Sequence, residues 1–341
     1  MGTSHRQAAV RALVGDIRRG LAELFALPDG YEVVLGNGGA SAFWEVAVAC
    51  LVERRAQTAV FGEFGAKFAA ACHRAPFLGA PDIVEAPAGS VAFLSTTERP
   101  SGQAGAPVDV YATVQNETST GAAVPISRVG SAGPLMLVDA TSAAGGLPVD
   151  VSQTDVYYFS PQKAFASDGG LWLAVVSPAA IERAARVERD LPGGRWVPEF
   201  LSFGAALENS RADQTLNTPA VATLIMLAEQ VRWLLDNGGL AWAAARCAES
   251  ASTLYDWSEA RPWAIPFVTD PAYRSATVGT IDLAPEVDGP ALVDALRANG
   301  ILDVFPYRKL GRNQIRVAMF PAIEPSDIAA LTNCIDHLVA A

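Results

Sequence analysis

Histidine and cysteine are scarce in this chain of 341 residues, and where the few fall excludes several chemistries. The three histidines, His5, His73 and His337, are too few and too dispersed to suggest a metal centre. The four cysteines, Cys50, Cys72, Cys247 and Cys334, contain no CxxC pair and read as reduced thiols rather than a disulfide or zinc framework. No apolar run reaches the ~18 residues that suggest a membrane span. The opening Met-Gly-Thr-Ser-His-Arg lacks the apolar stretch of a secretory signal. Positive charge is short as well: the formal net charge is −11 and no Lys/Arg cluster occurs, so nucleic acid is a poor candidate partner. A soluble, cytoplasmic protein is the expectation.

What the chain has in quantity is apolar residues, 50% of the total, enough for one large core and a smaller one. Val10, Leu13, Ile17, Leu21 and Leu24 recur every three to four residues and predict an amphipathic helix over 7–25. A short buried strand over 31–35, the glycine-rich turn 36–41 and a helix over 42–52 form one unit. Further apolar strands are expected at 58–61, 91–95, 110–114, 135–139, 156–160 and 171–176. Buried strands alternating with helices predict an α/β fold with a mainly parallel sheet covered on both faces. In such sheets ligands gather beyond the carboxyl ends of the strands. Helices over 219–236 and about 240–260 follow, then strand 275–283, helix 289–299, strand 314–320 and helix 325–339. This pattern divides the chain into a large domain, 1–244, and a small C-terminal α/β domain, 245–341.

Three features carry chemistry. Lys163 follows an aromatic strand in Tyr-Tyr-Phe-Ser-Pro-Gln-Lys-Ala-Phe, where desolvation would favour the neutral amine that Schiff-base chemistry needs. Alone, such a lysine is more often a solvated surface residue. Asp139 closes another strand; it suits a carboxylate against a pyridinium nitrogen, or the N-cap of the next turn. The turn at 36–41 lets the backbone N–H groups of Gly38 and Gly39 approach a phosphate at a helix N-terminus. In this order the three suggest an enzyme that uses pyridoxal 5'-phosphate (PLP).

Seven motifs make the pattern more specific: Thr-Ser-His5-Arg6, Gly38-Gly39-Ala40-Ser41, Asn116-Glu117-Thr118-Ser-Thr-Gly, Asp139-Ala-Thr-Ser, Gln162-Lys163, Leu-Asn217-Thr218-Pro and Ile-Arg316-Val-Ala-Met. Together they resemble the phosphoserine aminotransferases, in the class V branch of the PLP-dependent transferases of fold type I. The resemblance runs along nearly the whole chain. It implies that Lys163 carries the cofactor and later shuttles a proton, with Asp139 on the ring nitrogen and Thr118 near the ring hydroxyl. It further implies that Phe64 stacks on the ring, where many relatives have Trp. Gly39, Ala40 and Gln162 would contact the cofactor phosphate. Some relatives have Arg at the position of Ala40, which shifts the load here to backbone amides and Ser41. Asn217 and Thr218 resemble a pair that reaches the phosphate of a neighbouring subunit, implying a homodimer.

For the substrate, the resemblance implies that Arg316 holds an α-carboxylate, while His5, Arg6 and Arg308 engage a phosphate. Arg308 also reads as a solvated surface charge. The reaction implied is transamination between O-phosphoserine and 2-oxoglutarate, giving 3-phosphohydroxypyruvate and glutamate, with phosphohydroxythreonine of pyridoxine synthesis as a further substrate. Two alternatives stay open: another class V aminotransferase of the alanine–glyoxylate type, or a catalytically silent protein of the same fold. Members of the family carry several tens of residues ahead of Thr-Ser-His-Arg, so an N-terminal arm of the large domain is expected to be missing here.

Overall fold

The computed structural model describes residues 4–96, 107–130 and 133–340. Helix α1 (Ala8–Leu24) buries Val10, Val14, Ile17, Leu21 and Leu24 in one stripe. Strand β1 (Glu32–Asn37) turns tightly into α2 (Ala40–Cys50), and β2 (Ala56–Val60) into α3 (Glu63–Arg74). Then come β3 (Asp82–Glu85), β4 (Val110–Val114), the hairpin β5 (Asn116–Glu117) and β6 (Ala122–Ala123), β7 (Leu135–Asp139), β8 (Val156–Phe159) and β9 (Leu171–Val176). Helices α4 (Pro178–Asp190), α5 (Phe203–Arg211), α6 (Val221–Asp236) and α7 (Gly239–Glu259) follow. The C-terminal part is β10 (Ala264–Pro266), β11 (Val278–Leu283), α8 (Gly289–Ala298), β12 (Gln314–Ala318) and α9 (Pro325–Ala340).

Seven strands form the central sheet in the order β1-β9-β8-β7-β4-β2-β3. Only β9 runs against its neighbours, so the sheet is mainly parallel, as expected for strands this apolar. The pleat divides their side chains between two cores. Val33, Leu35, Met136, Val138, Tyr157 and Phe159 pack towards α1 and α6. Val34, Leu135, Leu137, Val156 and Tyr158 pack towards α2, α4 and α5. Because the strand period is two, this alternation fixes the register.

The parallel strands β1, β2, β4, β7 and β8 end on one edge of the sheet. Asn37, Val60, Val114, Asp139 and Phe159 stand there, and candidate residues lie at or just beyond these ends: Gly39, Ala40 and Ser41 after β1, Phe64 at the start of α3 after β2, Thr118 after β4, Asp139 itself on β7, and Gln162 and Lys163 after β8. A second, antiparallel sheet, β10-β11-β12, packs with α7, α8 and α9 around its own apolar cluster. Helix α7 is shared: Ala243 belongs to the first core, whereas Ala251 and Leu254 belong to the C-terminal one. Among the described residues no helix is long and apolar enough to cross a membrane.

The strand expected at 91–95 is not formed. Those residues pack without a ladder, and the Ser95 amide donates to the Gln57 side-chain Oε1 at 2.9 Å. The edge place is taken by β3, whose residues alternate buried and exposed.

Candidate active site

Lys163 lies four residues past β8, in a loop pinned from below by its neighbour Phe165. That ring is fully buried and stacks on Phe159 at 5.0 Å between centroids. The loop is tightened by a bond from the Ala166 amide to the Lys163 carbonyl, with Ala166 in the left-handed region. The Lys163 amine donates to Thr118 Oγ1 at 2.7 Å and stands 5.4 Å from the centre of the Phe64 ring. Burial lowers its pKa to about 8, and the Arg316 cation adds to the shift; the charges of Asp139 and Glu117 pull the other way.

Asp139 is buried at the end of β7. Its Oδ1 accepts from the Thr141 amide at 2.9 Å and the Thr141 hydroxyl at 2.7 Å, so one oxygen does cap the following turn. Its Oδ2 accepts from the Trp44 indole N–H at 3.0 Å. A carboxylate has about four acceptor sites, so a place remains for a protonated ring nitrogen.

The hairpin β5–β6 carries the Asn-Glu-Thr-Ser-Thr-Gly motif between the large sheet and the C-terminal sheet. Thr118 Oγ1 donates to Ser142 Oγ at 2.8 Å, and the Thr118 carbonyl accepts from Arg316 at 3.4 Å. Glu117 is wholly buried. Its carboxylate accepts from the amides of Phe64, Gly65 and Ser119 and from the Ser119 hydroxyl, which fixes the start of α3 and with it the Phe64 ring. Gly62 permits this approach, since a Cβ there would lie 2.3 Å from Glu117 Cγ. Burial raises the Glu117 pKa, although these four bonds act against the rise.

Arg316, on β12, reaches the same place from the C-terminal sheet. Its guanidinium lies 5.6 Å from the Tyr307 ring, which in turn meets Phe64 at 6.2 Å. No ion pair to Arg316 occurs among the described residues. Lys309 pairs with Glu63 at the tip of α3, a second tie between the two parts of the chain.

The turn after β1 differs from expectation in one respect. The Gly38 amide, at φ +102°, is committed to the Gly170 carbonyl at 2.9 Å and cannot serve an anion. Gly39 is the N-cap of α2 and no side chain caps the helix, so the amides of Gly39, Ala40 and Ser41 form its open N-terminus.

A second group gathers beside this turn. Thr218 Oγ1 and His5 Nδ1 are 3.1 Å apart, the Thr218 carbonyl accepts from Asn37, Arg6 donates to Gln214, and Thr215 donates to the Asn217 carbonyl. His5 Nε2 and Asn37 Oδ1 are buried without partners. Among the described residues no hydrogen bond or ion pair joins this group to Lys163, Thr118 or Arg316. Gln162 and Arg308 are exposed and make no described hydrogen bond with either group. Thus Lys163, Asp139, Thr118, Phe64 and Arg316 come together, whereas His5, Arg6, Asn217 and Thr218 assemble separately.

The sequence profile of the aminotransferase class-V family matches residues 1–302. The chain is a class V aminotransferase. Among its relatives, a provisionally named phosphoserine aminotransferase of Mycolicibacterium vanbaalenii is 59% identical over 339 residues, covering 99% of this chain and 88% of that one. A phosphoserine aminotransferase of a Nocardioides species is 54% identical over 342 residues, with 99% and 88% covered. The crystal structure of a phosphoserine aminotransferase from Cytophaga hutchinsonii superposes with a TM-score of 0.86 at 21% identity, covering 98% and 91% of the two chains. This class V aminotransferase uses pyridoxal phosphate, and its residues fit that group. An uncapped helix N-terminus faces the loop edge, Asp139 Oδ2 has acceptor capacity left, and a low-pKa amine stands over an aromatic ring.

Trp44, Glu117 and Tyr307 had no part in the site read from the sequence. Trp44 looks like core filler in an apolar helix, and Tyr307 lies in an irregular segment. Glu117 left one signal, a carboxylate inside a buried stretch that must find donors.

Proposed function

We propose that this chain transfers the amino group between O-phosphoserine and 2-oxoglutarate, interconverting phosphoserine and 3-phosphohydroxypyruvate. The observation that carries the reading is Arg316. A part-buried guanidinium without a counter-ion among the described residues, bonded to the backbone of the residue that holds Lys163, calls for an anionic ligand. The α-carboxylate of an amino acid fits that demand. The names of the relatives supply the phosphorylated side chain.

When bound, pyridoxal phosphate supplies an aldehyde for the amino group and a ring that accepts the electron pair left at the substrate α-carbon. The protein's part is positional and acid–base. Asp139 would meet the ring nitrogen, Phe64 would offer its ring as a stacking face, and Thr118 would lie on the side of the ring hydroxyl. The amides of Gly39, Ala40 and Ser41, with Gln162, take the cofactor phosphate. Lys163 Nζ moves the proton at the α-carbon; a pKa of about 8 suits a group that must both give and take it near neutrality. His5, Arg6 and Arg308 are assigned to the substrate phosphate.

We infer a homodimer in which Asn217 and Thr218 complete the neighbour's site. Since His5 is bonded to Thr218 and Arg6 to Gln214, all four act as one unit on that neighbouring site. Residues 1–244 and 245–341 are read as two domains, supported by the change of core along α7. A cytoplasmic setting goes with the free, buried thiols of Cys50, Cys72 and Cys247.

The test is a half-reaction, mixing cofactor-loaded protein with phosphoserine and following conversion of the cofactor to its amine form. Phosphohydroxythreonine is run beside it. Conversion by alanine but not by phosphoserine would instead favour an alanine–glyoxylate enzyme. Failure to develop the visible absorbance of a bound cofactor would favour a silent protein.

A further inference from the structure

The donors on Asp139 differ in origin. Both bonds to Oδ1 come from Thr141, two residues along the same turn, so they move with Asp139. The bond to Oδ2 comes from Trp44, on α2. It ties the carboxylate to α2, whereas the Tyr158 hydroxyl meets it from the neighbouring strand β8.

That element is also the phosphate-facing helix. Trp44 stands one turn past the open N-terminus formed by Gly39, Ala40 and Ser41. The indole is buried and its ring is locked in the core, so the N–H has little freedom to leave the carboxylate. One rigid helix thereby sets the separation between the phosphate anchor and the acid that meets the ring nitrogen.

We propose that Trp44 is a positioning residue for the transamination, holding Asp139 aimed at the cofactor ring nitrogen while α2 holds the cofactor phosphate. The proposal rests on the PLP reading of the site. Its physical basis is the one-way character of the indole: the N–H donates and never accepts. Fixed through Oδ2 by the indole and through Oδ1 by Thr141, the carboxylate would stay facing the ring nitrogen; without the indole N–H it would be freer to turn, and the ring nitrogen would lose its partner. Tyr158, on the adjacent strand, has a hydroxyl that burial and the Asp139 charge push well above its ordinary pKa; the neutral O–H is a second donor beside Asp139, so Trp44 shares the hold on the carboxylate and its own part is the link to α2.

The test is Trp44→Phe in the full chain, loaded with cofactor labelled with 15N in the ring. The variant keeps the aromatic bulk and loses the N–H. The expected result is a ring-nitrogen resonance displaced towards the unprotonated pyridine, with kcat lower by roughly tenfold and the donor KM within about twofold. An unchanged resonance and kcat in a folded, loaded variant would reduce Trp44 to a packing residue. A wild-type protein that takes up no cofactor would overturn the cofactor reading itself and this proposal with it. Should Trp44→Phe fail to fold, the indole proton of Trp44 is followed in the wild-type chain. It must shift when Asp139 is replaced by Asn, and its indifference to that change would overturn the proposal.

Discussion

Cofactor capture by the cofactor-free chain requires the unprotonated amine of Lys163, because only that form has a lone pair for the aldehyde. Burial, joined by the Arg316 cation, brings this amine from 10.5 down to about 8. At pH ~7 that leaves roughly one chain in ten with a neutral amine, against roughly one in three thousand for an ordinary lysine. The advantage is about 300-fold. Stopped-flow absorbance of cofactor binding between about pH 6 and pH 10 reads it directly. The rate should climb about tenfold per pH unit and flatten near 8. In Arg316→Ala, which removes a cation, the bend should move to higher pH; in Asp139→Asn, which removes an anion, to lower pH. A wild-type rate that rises without a bend to beyond pH ~10 would refute the argument that this environment activates the lysine.

Once fully loaded with cofactor, Arg316→Ala should bind substrate more weakly, costing on the order of 2–5 kcal/mol, or roughly 30- to 5,000-fold in kcat/KM; steady-state kinetics with phosphoserine check it. Gly62→Ala drives a Cβ into the Glu117 side chain and should cost about 1–3 kcal/mol in urea unfolding, with a loss of cofactor affinity as Phe64 is displaced. Burial works to raise the Glu63 carboxyl, but the Lys309 hydrogen bond and the charges of Lys309 and Lys67 bring it below its ordinary 4.5. A depressed carboxylate contributes above its unfolded pKa and is lost as pH falls through the folded value. Amide exchange over residues 305–311 should therefore quicken on acidification below about pH 4.5, and Glu63→Gln should show the fast exchange already at neutral pH.

The central strands were legible because they are buried on both faces, and a run such as Leu135–Asp139 has no competing reading. Periodicity served where an apolar stripe meets one core, as in α1. No element was expected at α3, α4 or α5, although α4 carries a stripe of its own in Ala180, Arg183, Ala184 and Val187, built of small residues and one arginine rather than large apolar ones, nor at β3, whose four residues are half exposed. The apolar residues at 91–95 were misleading, since hydrophobicity reports burial and not a hydrogen-bond ladder. In the site, Lys163 and Asp139 stood out as ionisable groups at strand ends. The Gly38 amide could not be judged from sequence, because its partner, Gly170, lies more than a hundred residues away. Nor could Trp44 be read as anything but apolar, since its role depends on which oxygen its N–H meets.

The bond between His5 and Thr218 makes the division of labour between subunits testable. Consider a dimer of one Lys163→Ala chain and one His5→Ala, Arg6→Ala chain, each nearly inactive as a homodimer. If His5 and Arg6 serve the lysine of their own chain, each site in the hybrid carries one defect and neither works. If they serve the partner's lysine, as their union with Thr218 and Gln214 suggests, both defects fall on one site and the other is intact. Random re-association of equal amounts makes half the dimers hybrid, each with one working site, so about a quarter of wild-type activity should return. Recovery at that level assigns all four residues to the neighbouring site. No recovery, with hybrid formation verified by native mass spectrometry, would return His5 and Arg6 to their own chain's site and dissolve the unit proposed here.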